Sequence, residues 1–82
     1  MEETLKLIKE TVMNVAKEYD VRIDKVILFG SRARGDYREN SDWDILVVTK
    51  EKLDRKRLES FSYKLSLALI DILNMPADVL II

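Results

Sequence analysis

Residues 25–48 read KVILFGSRARGDYRENSDWDILVV. This stretch predicts two short strands, separated by a segment that holds both glycines of the chain. The apolar run at residues 25–29 predicts a buried strand that ends at Gly30. The run at residues 44–48 predicts a second strand, headed by an aspartate. A strand, a glycine turn and a second strand therefore form the centre of the predicted fold.

The turn after the first predicted strand is suited to binding an anion. Gly30 has no Cβ, so its backbone can turn sharply or approach a ligand closely. Ser31 follows at the predicted start of a short helix, where N–H groups and a hydroxyl can bind a phosphate. The alternative is an ordinary strand-to-helix turn in which Ser31 is the helix N-cap. The two carboxylates that follow favour the phosphate site.

Those carboxylates belong to Asp42 and Asp44, two residues apart at the head of the second predicted strand. The period of two in a strand places both on one face and Trp43 on the other, where it is predicted to pack. Two carboxylates this close repel each other unless a cation lies between them. The chain has no histidine and no cysteine, so oxygen ligands must hold any metal, which favours Mg²⁺ or Mn²⁺. The alternative is that Asp42 caps a turn and that Asp44 is exposed on an edge strand, although aspartate is a poor strand former.

Composition limits the class of protein. The chain has 82 residues, which predicts one small domain spanning residues 1–82. Its net charge of −1 and 48% hydrophobic content are typical of a folded domain. The near-neutral charge disfavours a nucleic-acid binder that neutralises phosphates. No apolar run approaches the roughly 18 residues of a membrane span, and the absence of cysteine makes the cytoplasm the expected compartment.

Apolar spacings of three and four residues predict two main helices, at residues 3–19 and 53–73. The second helix has an additional apolar face, formed by Tyr63, Leu67, Ile70 and Leu73. A domain of this size cannot surround a helix on all sides. The additional face therefore predicts contact with a protein partner or with a second copy of the chain. Pro76 interrupts the chain before a third predicted strand at residues 77–82.

Residues 30–35 (GSRARG) and 41–47 (SDWDILV) resemble the signature of the minimal nucleotidyltransferase (MNT) family. This family contains the smallest members of the DNA polymerase β-like nucleotidyltransferase superfamily, and the resemblance extends over nearly the whole chain. It implies an α+β (two-layer α/β) fold, in which a small mixed sheet of about three strands packs against two main helices, as in the polymerase β palm. The superfamily places a third carboxylate on a later strand. Asp78 is the well-placed candidate for it, although a plain turn into the third strand would also explain this residue.

The resemblance also implies roles for the site residues. Asp42, Asp44 and Asp78 would be catalytic and would bind Mg²⁺ or Mn²⁺. Gly30 and Ser31 would bind the phosphates of ATP or another nucleoside triphosphate.

Three arginines follow the glycine turn closely, namely Arg32, Arg34 and Arg38. They could bind the nucleotide through its phosphates or screen the carboxylates, because guanidinium groups pair well with both. They could equally be exposed surface residues. The sequence leaves both interpretations open.

By the same resemblance, the activity would be transfer of a nucleoside monophosphate, with AMP from ATP the expected case, to a hydroxyl of a protein acceptor. MNT proteins are commonly antitoxins whose partner is a helical HEPN-type toxin. A different class of function remains open, namely a non-catalytic nucleotide-binding or antitoxin module that neutralises its partner by contact. Transfer to a small molecule uses the same core but would ordinarily need an additional substrate domain.

Overall fold

The structure is a computed structural model that describes residues 2–35 and 42–82. The elements, in chain order, are α1 (Glu2–Glu18), β1 (Ile23–Phe29), α2 (Ser31–Arg34), β2 (Trp43–Thr49), α3 (Arg55–Leu73) and β3 (Ala77–Ile81). The predicted order of elements is confirmed, and their predicted ends differ from the observed ends by no more than two residues.

The three strands form one mixed sheet in the order β1-β2-β3. β1 pairs antiparallel with β2, and β2 pairs parallel with β3. β2 is therefore the central strand, and the other two are edge strands. Together with α1 and α3, this sheet confirms the predicted α+β fold.

The hydrophobic core lies between the two long helices and one face of the sheet. Trp43, Ile45 and Val47 alternate along β2 and are all buried on this face. This alternation follows from the period of two in a strand. The helices contribute the other large buried side chains, which include Ile8, Val12, Phe61, Leu65 and Leu69.

No helix in the described part of the chain covers the opposite face of the sheet, which we call the open face. Ile27 and Phe29 lie on it and are 40% and 39% exposed. The prediction that residues 25–29 form a buried strand is therefore wrong for this side of β1. The physical reason is that β1 is an edge strand whose apolar residues alternate between a covered and an uncovered face.

The start of α3 is fixed by two sets of polar contacts. Asp54 is its N-cap and accepts a hydrogen bond from the backbone N–H of Arg57, at 2.8 Å. The guanidinium of Arg57 donates from Nε to the carbonyl oxygen of Tyr19, at 3.1 Å, and from Nη2 to that of Asp20. Arg57 thus joins the end of α1 to the start of α3.

The outer side of α3 carries an exposed apolar stripe. Tyr63 is 70% exposed, Leu67 49% and Ile70 41%. Leu73, which the sequence placed on the same face, packs against the core instead, so the prediction is wrong for that residue. Neither α3 nor any other helix among the described residues has the length and apolar character needed to cross a membrane.

Candidate functional site

Two of the three predicted carboxylates lie side by side on the open face. Asp44 of β2 and Asp78 of β3 are direct partners in the parallel register, and residues opposite each other in a sheet share a face. Asp78 is exposed and Asp44 is partly buried. Asp42, also exposed, comes just before the first residue of β2. Trp43 is buried on the opposite face, as predicted.

The turn at Gly30 lies directly against Asp44. Phe29, the last residue of β1, is the register partner of Asp44, and Gly30 follows it directly. Gly30 has φ 76° and ψ −159°, a conformation that is costly for residues with a Cβ. A Cβ at this position would be 3.0 Å from Cγ and 3.2 Å from Cβ of Asp44. Glycine is therefore required both by the backbone conformation and by the close approach of the carboxylate.

Ser31 is the first residue of α2, and Gly30 is the N-cap, without a side-chain capping bond. The alternative in which Ser31 caps the helix is therefore wrong. The carbonyl oxygen of Gly30 accepts hydrogen bonds from the N–H groups of Ala33 and Arg34, each at 3.2 Å. The N–H of Ser31 precedes these donors, and the first N–H groups of a helix have no intrahelical acceptor. Ser31 thus presents a hydroxyl and an N–H beside the Gly30 turn, and its phosphate-binding role stays a prediction.

Arg32 is a buried residue, only 7% exposed. Its Cζ atom lies 4.2 Å from the centroid of the Trp43 ring, and its Nη2 donates to Sδ of Met75 at 3.4 Å. The interpretation of Arg32 as a solvated surface residue is therefore wrong, and sequence reasoning missed its packing on Trp43. Its predicted contact with nucleotide stays a prediction. The available signal was a tryptophan on the buried face, because arginine is a frequent partner of such rings.

The position of Arg34, the next arginine along the chain, differs from that of Arg32. Arg34 is exposed at the end of α2. Arg38 lies outside the described residues.

The predicted carboxylates suit a hard cation, such as Mg²⁺, that is also bound by the phosphates of a substrate. Among residues 2–35 and 42–82, no three aspartate, glutamate, histidine or cysteine side chains are grouped to hold one ion. Mg²⁺ is usually held by one or two carboxylates together with water and substrate phosphates, rather than by a complete protein cage. The paired Asp44 and Asp78, with Asp42 close by in the chain, offer carboxylate oxygens of this kind.

Two proteins of Methanocaldococcus jannaschii, each named "Putative protein adenylyltransferase", are similar in sequence. One is 60% identical over 43 residues and the other is 47% identical over 49 residues. These matches cover 52% and 60% of this chain, and 43% and 50% of the two relatives. The chain thus spans about half the length of the curated relatives it matches.

Two solved structures are similar in fold. "Structure of putative minimal nucleotidyltransferase" has a TM-score of 0.65 and 33% identity, and the match covers 95% of this chain and 74% of that one. "Crystal structure of the toxin-antitoxin with AMP-PNP" has a TM-score of 0.60 and 23% identity, and the match covers 88% and 55%. At that identity the second likeness shows the fold alone.

The family model described as "Polymerase beta, Nucleotidyltransferase" matches residues 10–82. That range contains the Gly30 turn, all three strands and the three predicted carboxylates. The chain therefore belongs to the polymerase β nucleotidyltransferase family, within its minimal nucleotidyltransferase group.

Proposed function

We propose that this protein is a Mg²⁺-dependent nucleotidyltransferase that transfers AMP from ATP to a hydroxyl of a protein acceptor and releases pyrophosphate. The observation that carries the proposal is the in-register pair of Asp44 and Asp78 on the open face, with Gly30 against Asp44. Membership of the nucleotidyltransferase family and the names of the two curated relatives support it.

The Gly30 turn would bind the β- and γ-phosphates of ATP. The backbone at Gly30 carries no side chain to keep the phosphates away, and Ser31 offers its hydroxyl and its N–H as donors. Arg34, an exposed residue at the end of α2, is a further candidate for a phosphate contact. Because Asp44 lies against this turn, the phosphates and the carboxylates would occupy one small region.

Asp42, Asp44 and Asp78 would hold Mg²⁺, or Mn²⁺ in its place, through their carboxylate oxygens. The bound ion would supply the positive charge that offsets repulsion between carboxylates and triphosphate during displacement at phosphorus. We place the reaction in the cytoplasm, in keeping with a chain that contains no cysteine.

The chemical step is an in-line displacement. The oxygen of the acceptor hydroxyl forms a bond to the α-phosphorus, and the bond from that phosphorus to the oxygen bridging the β-phosphate breaks. Pyrophosphate takes the electron pair of the broken bond and leaves. Asp78 is exposed on an edge strand beside Asp44, where it could orient the hydroxyl and accept its proton.

The exposed stripe Tyr63, Leu67 and Ile70 would bind a protein partner, and the MNT resemblance makes a HEPN-type toxin the expected one. This protein would then be the antitoxin, and a hydroxyl of the toxin would be the acceptor. A second copy of the chain is the alternative occupant. The stripe lies on the outer side of α3, and α3 covers the face of the sheet opposite the carboxylates. A partner bound to the stripe could therefore be neutralised without contact with the carboxylates. Neutralisation by contact alone is for this reason a second candidate function.

Transfer is tested with ATP labelled at the α-phosphate, Mg²⁺ and an extract of the source organism, with the labelled protein identified by mass spectrometry. The wild-type chain and the control Glu10→Gln, which alters an exposed carboxylate on α1, should label the same protein. Asp42→Asn with Asp44→Asn should remove the label and retain the circular dichroism of the wild type. Undiminished labelling by the double variant would refute the proposal.

Binding experiments with the candidate toxin test the stripe, and neutralisation measured without nucleotide separates the two functions. Leu67→Lys should abolish capture of the toxin, whereas Leu7→Lys, at an exposed apolar position on α1, should leave capture unchanged. Neutralisation that survives removal of all nucleotide would favour the contact-only module. A clean monomer in sedimentation would exclude the second copy as occupant of the stripe.

A further inference from the structure

Arg32 contacts one side chain at the head of β2 and one just before β3, the two strands that carry Asp44 and Asp78. It lies in α2, immediately after the Gly30 turn. Its guanidinium lies over the ring of Trp43, the residue next to Asp44. It also donates to Met75, which lies in the connection between α3 and β3, three residues before Asp78. One buried side chain thus joins the turn, the head of β2 and the entry to β3.

We propose that Arg32 is a positioning residue, which fixes the heads of β2 and β3 relative to the Gly30 turn and so sets where Asp44 and Asp78 lie relative to that turn. The inference rests on the proposed function, since that placement matters only if the carboxylates and the Gly30 turn act together. It assigns to Arg32 a role exerted through Trp43 rather than through contact with substrate.

The chemistry of the contact explains why the residue is an arginine. A planar guanidinium can stack on an indole ring and donate an N–H in its own plane at the same time, whereas the ammonium of lysine is a point charge. Attraction between a cation and an aromatic ring is also stronger where water is excluded, and Arg32 and Trp43 are 7% and 6% exposed. Because both side chains are buried, the contact between Arg32 and Trp43 holds the two residues in one arrangement.

A backbone bond completes the link between the two strand heads. The N–H of Trp43 donates to the carbonyl oxygen of Pro76, at 3.1 Å. Pro76 lies between Met75, which contacts Arg32, and Ala77, the first residue of β3. Loss of the Arg32 contacts would release the side chains on either side of this bond. The Trp43 amide is therefore a direct reporter of the proposed role.

The first measurement is amide hydrogen exchange without nucleotide or metal. Arg32→Met should raise the exchange rate of the Trp43 amide by about tenfold or more, because local opening at the strand head becomes easier. Arg32→Lys, which keeps the charge but not the fork of donors, should give an intermediate rate. Arg57→Met is the matched control, since Arg57 also joins two segments, but at the end of α1. It should leave the Trp43 amide unchanged.

The second measurement is transfer by the same variants. Arg32→Met should lower kcat by about 10- to 100-fold, the usual result of removing a group that orients metal ligands. The Mg²⁺ concentration for half-maximal rate should rise, and KM for ATP should change little because the Gly30 turn is intact. Arg32→Lys should recover part of the rate, and Arg57→Met should behave as the wild type at temperatures where all variants are folded.

An unchanged kcat in Arg32→Met, or a loss that Arg57→Met reproduces, would overturn the proposal whatever the exchange data show. If the wild-type chain transfers no nucleotide, the proposed function fails and the exchange experiment alone decides. A faster Trp43 amide in Arg32→Met then supports the positioning role, and an unchanged amide refutes it. If Arg32→Met does not fold, Arg32→Lys and Met75→Leu take its place in both measurements.

Discussion

The two faces of β2 differ in burial and in the residues that they carry. Trp43, Ile45 and Val47 point to the helices and are almost completely buried, while the intervening Asp44 and Leu46 lie on the open face. Apolar burial supplies most of the stability of a small domain, and here the helix-covered face provides it. The open face is thereby free to hold two neighbouring carboxylates that repel each other. The comparison teaches that a single strand can separate residues that stabilise the fold from residues that we propose for catalysis.

The largest effect is expected from adjacent substitutions on that strand. Ile45→Ala should lower the free energy of unfolding by about 2–5 kcal/mol, because Ile45 is completely buried and its loss leaves a cavity. Leu46→Ala should cost about 1 kcal/mol, because Leu46 lies on the open face and is only partly buried. Urea unfolding followed by the fluorescence of Trp43, the single tryptophan, measures both. An equal decrease in the free energy of unfolding for both variants would show that the two faces contribute equally to stability.

The next effect concerns the two glycines that flank α2. Gly30→Ala should cost about 1–3 kcal/mol, because the backbone conformation is strained for alanine and the new Cβ meets Asp44. Gly35→Ala is the control: Gly35 also has a positive φ, of 85°, but no atom lies within 4 Å of an added Cβ. It should cost about 1 kcal/mol.

Nucleotide transfer should separate these two variants more sharply than stability does. Gly30→Ala should lose transfer, because the carboxylate of Asp44 is displaced, and Gly35→Ala should retain it. Retained transfer in Gly30→Ala, measured with the labelled-ATP assay on folded protein, would show that the contact between Gly30 and Asp44 is not part of the site.

Much of this arrangement follows from the local sequence. The period of two alone predicts that Trp43 and Asp44 face opposite sides, and the structure confirms the buried position of Trp43. The position of Gly30 at the end of a strand is equally local. These features are predictable because each depends on residues that are close together in the chain.

Other features depend on contacts that a local pattern does not encode. The half-exposed state of Ile27 arises because β2, and not β1, takes the centre of the sheet. The contact between Arg32 and Met75 joins residues 43 positions apart. The pairing of Asp44 with Asp78 likewise depends on how β3 aligns with β2. The sequence indicates which residues are candidates for the site. Strand order and register determine which of these residues lie side by side.

A smaller effect on stability alone is expected in the helical layer. Asp54→Ala removes the N-cap of α3 and its hydrogen bond to the N–H of Arg57, which should cost about 1 kcal/mol. Because α3 lies on the face opposite the carboxylates, kcat for transfer should not change at temperatures where the variant is folded. Thermal unfolding together with the transfer assay measures both quantities. A lower kcat would show that the two faces are coupled through the helix.

The smallest effect is expected on β3, which repeats the comparison at the edge of the sheet. Leu80 is 55% exposed on the open face, so Leu80→Ser should change the free energy of unfolding by no more than about 0.5 kcal/mol. Its neighbour Val79 packs against the core, and Val79→Ala should cost about 1 kcal/mol. Urea unfolding of both variants under the same conditions gives the difference. A larger loss for Leu80→Ser would mean that the open face also contributes to folding, and that the division seen on β2 does not extend to the strand that carries Asp78.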